Sequence, residues 1–124
     1  MVARVTGVGG VFVRSPDPAA LADWYARHLG LPTERFGGAT FHWPDTGGST
    51  TWAPFPPDTT YFGPGAQQTM VNFRVDDLSG LLAQLRTSGI EVVDEVEESE
   101  FGRFGWCVDL DGNRVELWEP APGM

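Results

Sequence analysis

One pattern occurs twice in this chain. Val11-Phe12-Val13-Arg14-Ser15-Pro16-Asp17 leads into a helix-like run closing at Leu29-Gly30-Leu31, and Val71-Asn72-Phe73-Arg74-Val75-Asp76-Asp77 leads into one closing at Ser88-Gly89-Ile90. Asp17 and Asp77 lie 60 residues apart. A chain of 124 residues with that interval holds two copies of one supersecondary unit, each too small to bury a core alone. The halves must pair, within one chain or across a swapped dimer.

Each copy reads as strand, helix and three strands. Residues 5–14 alternate as a strand does. Ser15 offers an N-cap hydroxyl, Pro16 suits the first helical position and Asp17 complements the helix dipole. Leu21, Trp24, Tyr25 and His28 then fall on one helical face, with Trp24 expected to pack the helix on the sheet, and Gly30 ends the run. Strands are expected near 33–36, 39–43 and 50–55, separated by Gly37-Gly38 and by Asp45-Thr46-Gly47-Gly48. The Pro- and Gly-rich stretch 56–68 is the connector. A strand at 69–75 follows, then Asp76 or Asp77 as cap, a helix presenting Leu78, Leu81, Leu82 and Leu85, and Gly89 as its stop. Strands near 92–97, 103–109 and 114–119 complete the second copy, the last two joined at Asp111-Gly112-Asn113. The chain is one domain over 1–124, with units at about 4–55 and 69–120.

Charge narrows the partners. Net charge is −9, with eight arginines and no lysine against seventeen acids. Such a surface repels phosphate backbones and anionic lipid, so neither nucleic acid nor a membrane is an expected partner. No apolar run is long enough to span a bilayer and no secretory leader is legible, so a soluble, cytoplasmic protein is expected. Six acids and no base lie between Glu91 and Glu100, which suits a solvated edge strand kept from aggregating by charge. Cys107 is the only cysteine. In an apolar strand it reads as a small buried hydrophobe rather than a reactive thiol.

Three segments resemble the vicinal oxygen chelate superfamily, which holds glyoxalase I, extradiol dioxygenases, and fosfomycin and bleomycin resistance proteins. They are Asp17 through Trp24-Tyr25 to Leu29-Gly30, Phe73-Arg74-Val75-Asp76-Asp77, and Asp111-Gly112-Asn113-Arg114-Val115-Glu116-Leu117-Trp118. The resemblance implies an α+β fold of two βαβββ units that form a half-open, eight-stranded, barrel-like sheet around a small-molecule cavity, commonly in a homodimer.

In the metal-dependent members that resemblance points to, ligands come from the first strand of each unit and from a glutamate on the last strand. Counting back seven residues from each helix-leading aspartate gives Gly10, which has no side chain, and Met70, a soft thioether poorly matched to hard divalent ions. Aligning Trp118 with Trp52 sets Glu116 against Thr50. Only Glu116 survives of the ligand set, and one carboxylate does not hold a catalytic ion. No metal or other cofactor is therefore expected.

What remains is a binding site. Glu116 and Trp118 share one face of the last strand, and by the repeat Thr50 and Trp52 share the corresponding inward face, with Phe104 and Trp106 on a common side of their own strand and Met70 beneath. The expected function is sequestration of a small planar or cationic molecule between tryptophan faces, paired with Glu116. The alternatives are a glyoxalase-type lyase, isomerase or dioxygenase using Glu116 and His42 if the cavity lies on the His42 side, and a structural dimer with no ligand. Glu116 is also open to pairing with Arg74 or Arg14 across the sheet.

Overall fold

The computed structural model describes residues 2–45 and 47–124. Its elements run β1 (Val5–Arg14), α1 (Pro18–Leu29), β2 (Ala39–His42), β3 (Ser49–Phe55), β4 (Thr69–Val75), α2 (Leu78–Thr87), β5 (Glu97–Ser99), β6 (Gly102–Val108) and β7 (Arg114–Pro120). All the strands join one sheet in the order β2-β3-β1-β4-β7-β6-β5. At its centre β1 runs antiparallel to β4, pairing Val11 with Val71 and Phe12 with Met70. The two units thus join edge to edge within one chain, and β1 and β4 hydrogen-bond on both sides.

The sheet curls as a half-barrel of seven strands, not eight. The segment expected as a strand at 33–36 contributes only the isolated bridge Thr33 to Ala39. Its Glu34 and Gly37 form a tight turn, with Gly37 N donating to Glu34 O at 3.0 Å. In the second unit the expected 92–97 strand is reduced to a bridge from Val92 to Cys107 and the short β5. All three β5 residues are exposed at the sheet's outer edge, as the acidic run anticipates. The turn expected at 45–48 includes Thr46, which lies outside the described residues.

Both helices are capped by an aspartate. Asp17 Oδ1 accepts from Ala20 N and Asp77 Oδ1 from Gly80 N, each at 3.0 Å. The first cap is therefore Asp17 with Pro18 in the first turn, in place of Ser15 and Pro16. Ser15 Oγ instead accepts from Asp17 N at 3.2 Å, shaping the turn into the cap. Gly30 closes α1 at φ 71°, a conformation that an L side chain resists.

The helices cover the convex face. On α2, Leu78 and Leu82 bury against Val75 and Leu117. On α1, Tyr25 packs against Trp52 of β3 in a tilted pair with ring centroids 4.5 Å apart. Trp24 does not pack on the sheet as expected; it is 50% exposed and lies against Tyr25 and His28 of its own helix. The helix is rotated so that small Ala22 is its buried residue. Among the described residues no helix is long and apolar enough to cross a membrane.

A second core fills one end of the concave face. Phe12, Ala53, Met70 and Trp106 gather there with Phe62, and Phe55 and Tyr61 pack against them. Phe62 and Tyr61 belong to the connector, so that segment is folded into the half-barrel. Arg14 fixes it by donating to the main-chain oxygens of Pro57, Thr59 and Gln67 at 2.8–3.0 Å. Leu82→Ala should lower the free energy of unfolding by about 2–5 kcal/mol in urea denaturation, because its side chain is enclosed between α2 and β7.

Candidate functional site

Side-chain direction on the concave face follows from strand register. Gly10 pairs with Thr51 on one side and with Asn72 on the other, Asn72 pairs with Glu116, and Glu116 pairs with Trp106. These residues form one row across five strands. The row replaces two sequence expectations. Thr51, not Thr50, faces inward, and Asn72, not Met70, stands beside both Gly10 and Glu116.

Trp52 therefore faces α1 on the convex side, away from Trp118. Thr50 is occupied locally, its hydroxyl donating to Val8 O at 2.8 Å and accepting from the Trp43 indole at 2.9 Å. Aligning the halves by their tryptophans misplaces β3 by one residue, and a slip of one turns every side chain to the opposite face. Met70 and Trp106 are buried in the concave core, at 0% and 4% exposure. Trp106 meets the site through its indole N–H and through an edge-on contact of its ring with Tyr61.

Glu116 is 1% exposed. Three donors converge on its carboxylate: Asn72 Nδ2 on Oε1 at 2.6 Å, Trp106 Nε1 on Oε2 at 3.0 Å, and the Tyr61 hydroxyl, also on Oε2. Burial pushes the Glu116 pKa above the usual carboxylate value, and the nearby Glu97 adds to the rise, while the three hydrogen bonds pull against it. The Tyr61 hydroxyl is raised as well, first by burial and then by the charge and hydrogen bond of Glu116. Its proton stays on the phenol.

Neither expected arginine partner reaches Glu116. Arg14 holds the connector, and Arg74 lies between the rings of Trp43 and Trp118, 4.8 and 5.1 Å from their centroids. His42 is an exposed residue near the outer end of β2, paired with Ser49, and forms no ion pair with Glu116. The expected pair of Glu116 and His42 is not assembled.

The donor set does not fit a divalent ion. Among the described residues no three His, Cys, Asp or Glu side chains converge, and N–H and O–H donors directed at the carboxylate repel a cation from the lone pairs it would need. Tyr61 and Asn72, which organise this site, stand where the sequence does not single them out as partners of Glu116. Tyr61 lies in a connector and Asn72 falls two residues beyond the position given by counting back from Asp77.

Beside this network lies a cavity of about 270 Å³. Phe12, Phe104 and Trp118 form its apolar walls, and Phe36 and Phe101, 57% and 49% exposed, stand among its lining residues. Polar atoms come from Thr40, Ser49, Thr51 and Asn72. None of these lining side chains titrates near neutrality. Trp118 is anchored by its indole N–H, which donates to Phe101 O at 2.9 Å. Glu116 is not part of the lining, so the carboxylate expected to meet a cationic guest faces its donors instead.

A half-barrel of paired βαβββ units with its hollow on the concave face is the vicinal oxygen chelate architecture. The chain belongs to the family defined by the glyoxalase-like domain, whose model matches residues 10–118. No functionally curated protein is similar enough in sequence to match.

Solved structures share the fold. Methylmalonyl-CoA epimerase from Mycobacterium tuberculosis is 21% identical with a TM-score of 0.67, over 95% of this chain and 90% of that one. A Streptomyces coelicolor methylmalonyl-CoA epimerase in complex with 2-nitronate-propionyl-CoA is 17% identical with a TM-score of 0.73, over 95% and 99%. A Legionella pneumophila structure described as an NAD-dependent benzaldehyde dehydrogenase is also 17% identical, with a TM-score of 0.62 over 90% and 98%. Neighbours so differently described establish the scaffold and leave the activity to the site.

The raised Glu116 pKa has a defined consequence for stability. A carboxyl group that holds its proton more tightly when folded contributes stability that is fully present below its unfolded value, about pH 4, and is lost as pH rises through its higher folded value. Glu116→Gln removes that loss. Urea midpoints measured in parallel should therefore shift in favour of Glu116→Gln as pH rises from about 4, whereas a pH-independent difference would show an unperturbed carboxyl.

Proposed function

We propose that this protein binds and sequesters a small, neutral, ring-bearing molecule in the hollow of its half-barrel, without metal and without turnover. The observation that carries the reading is the cavity itself, an apolar space of about 270 Å³ walled by aromatic rings and edged by a few hydroxyl and amide groups. Apolar concavities with a few fixed polar groups are the usual form of a small-molecule site. The volume approaches twice the roughly 150 Å³ known to admit a benzene ring in a protein interior, so it suits a guest of one or two rings.

The absence of a titratable side chain from the described lining supports binding over catalysis. A lyase or epimerase of this architecture moves protons at its substrate, which requires an acid or base in contact with it. Glu116 has a raised pKa, but Asn72, Tyr61 and Trp106 stand around its oxygens. A neutral guest is favoured over a cationic one because no Asp or Glu side chain is among the described lining residues, and the Arg74 guanidinium lies over Trp118.

A thermal-shift screen of one- and two-ring neutral compounds tests the reading. A ligand that binds only the folded state raises Tm with its concentration. Phe36→Ala should weaken the binding of each hit several-fold, the size of one aromatic contact, while leaving the free protein close to wild-type stability because that ring is mostly exposed. A panel in which no compound raises Tm would refute the proposal.

A further inference from the structure

The hollow is bounded at its two ends by different parts of the chain. Phe55 at the end of β3 packs on Tyr61 and Phe62 of the connector, and Arg114 at the start of β7 lies against Gly63, so the connector fills that end. Ser49 and Trp118 stand toward the opposite end of the same two strands and line the cavity. There the chain leaves β7 at Pro120 and doubles back. Met124 N donates to Ala121 O at 3.1 Å, with Pro122 and Gly123 between them and Gly123 at φ 85°. Proline followed by glycine at positive φ is the pattern of a type II turn.

The turn carries Met124 from β7 across to β3, two strands that β1 and β4 separate in the sheet. Its main-chain oxygen accepts from Ser49 Oγ at 3.0 Å and from Arg74 Nη1 at 2.9 Å. Ser49 is 3% exposed and Arg74 is wedged between two indole rings, so both donors are held in place. Ala121 N ties the base of this strap to Phe101 O at 2.9 Å. With the nitrogen and oxygen of Met124 both spent on the strap, what the residue turns to the cavity it lines is its thioether side chain. A methionine side chain has three rotatable bonds and takes up irregular space, so it bends to guests of differing outline. Its volume stays at the cavity, because the main chain that bears it is fixed.

We propose, resting on the guest-binding reading above, that Met124 is the specificity-determining residue for guest size. Its side chain is the end wall of the hollow opposite the connector, and it admits two fused rings while disfavouring a third. The ring walls do not yield to make that room. Trp118 is stacked on Phe104 with ring centroids 5.9 Å apart and 4° between their planes, and Phe12 packs on Phe55 in the concave core.

Fluorescence titration with 2-naphthol and with 9-phenanthrol, neutral phenols of two and three fused rings, tests the assignment. The wild-type protein should prefer 2-naphthol. Met124→Ala shortens the wall and keeps the strap, whose bonds run through the main chain. It should therefore shift the ratio of the two affinities toward 9-phenanthrol by about ten-fold, the low end of what one misfitted methylene makes in an apolar pocket. Met124→Leu, close to methionine in volume, should keep the wild-type ratio. A wild-type preference for 9-phenanthrol, or a ratio unmoved by Met124→Ala, would overturn the assignment and leave guest binding intact. A ratio moved as far by Met124→Leu as by Met124→Ala would trace the effect to the strap rather than to side-chain volume, and would overturn it as well. If neither phenol binds the wild-type protein, the guest-binding reading fails, and the size limit with it.

Discussion

A carboxylate buried in an apolar sheet face has to be met by donors, and the way Glu116 is met organises the concave side of this protein. Transfer of an unpaired charge into such surroundings costs many kcal/mol, enough to unfold a domain of this size. The donors come from three separate places: Asn72 on β4, Trp106 on β6 and Tyr61 in the connector. Satisfying one side chain therefore draws the linker between the two units into the half-barrel, where Phe62 is fully buried beside it. One end of the concave face is filled and the other left hollow.

The hollow persists because its walls are fixed by polar contacts at their edges. Trp118 is tied to Phe101 through its indole N–H, and its face is covered by the Arg74 guanidinium, which also donates to the main-chain oxygens of Ser49 and Met124 at 3.2 and 2.9 Å. Rings held in this way cannot collapse inward to close the space. Gly9 contributes by omission, since any side chain there would meet Asn72 and Trp118 together. Among the described residues the cavity lining includes no Asp, Glu or His side chain.

Much of the architecture is legible from residues close together in the chain. The repeat, the aspartate caps, the glycine stops and the leucines of α2 act through contacts within a few positions, so their pattern survives in one dimension. The expectations that fail are those that depend on distant partners. Trp24 has the spacing of a core residue, yet Ala22 is buried in its place because Tyr25 finds Trp52. The strand expected at 33–36 has the right residues, but the turn at Glu34 and Gly37 leaves it one bridge to Ala39. Ser15 resembles a cap and serves the residue that is one.

The sequence by itself determined that two βαβββ copies must join and that Glu116 stands on the face of Trp118, because alternation along a single strand requires no knowledge of its neighbours. Only the tertiary structure decided which residues surround that carboxylate. Pairing across β1, β4 and β7 substituted Asn72 for Met70, pairing of β1 with β3 turned Trp52 outward and Thr51 inward, and the fold of the connector delivered Tyr61 from eleven positions before Asn72. Register between strands is set by the packing of both sheet faces at once, and a shift of one residue exchanges interior for exterior.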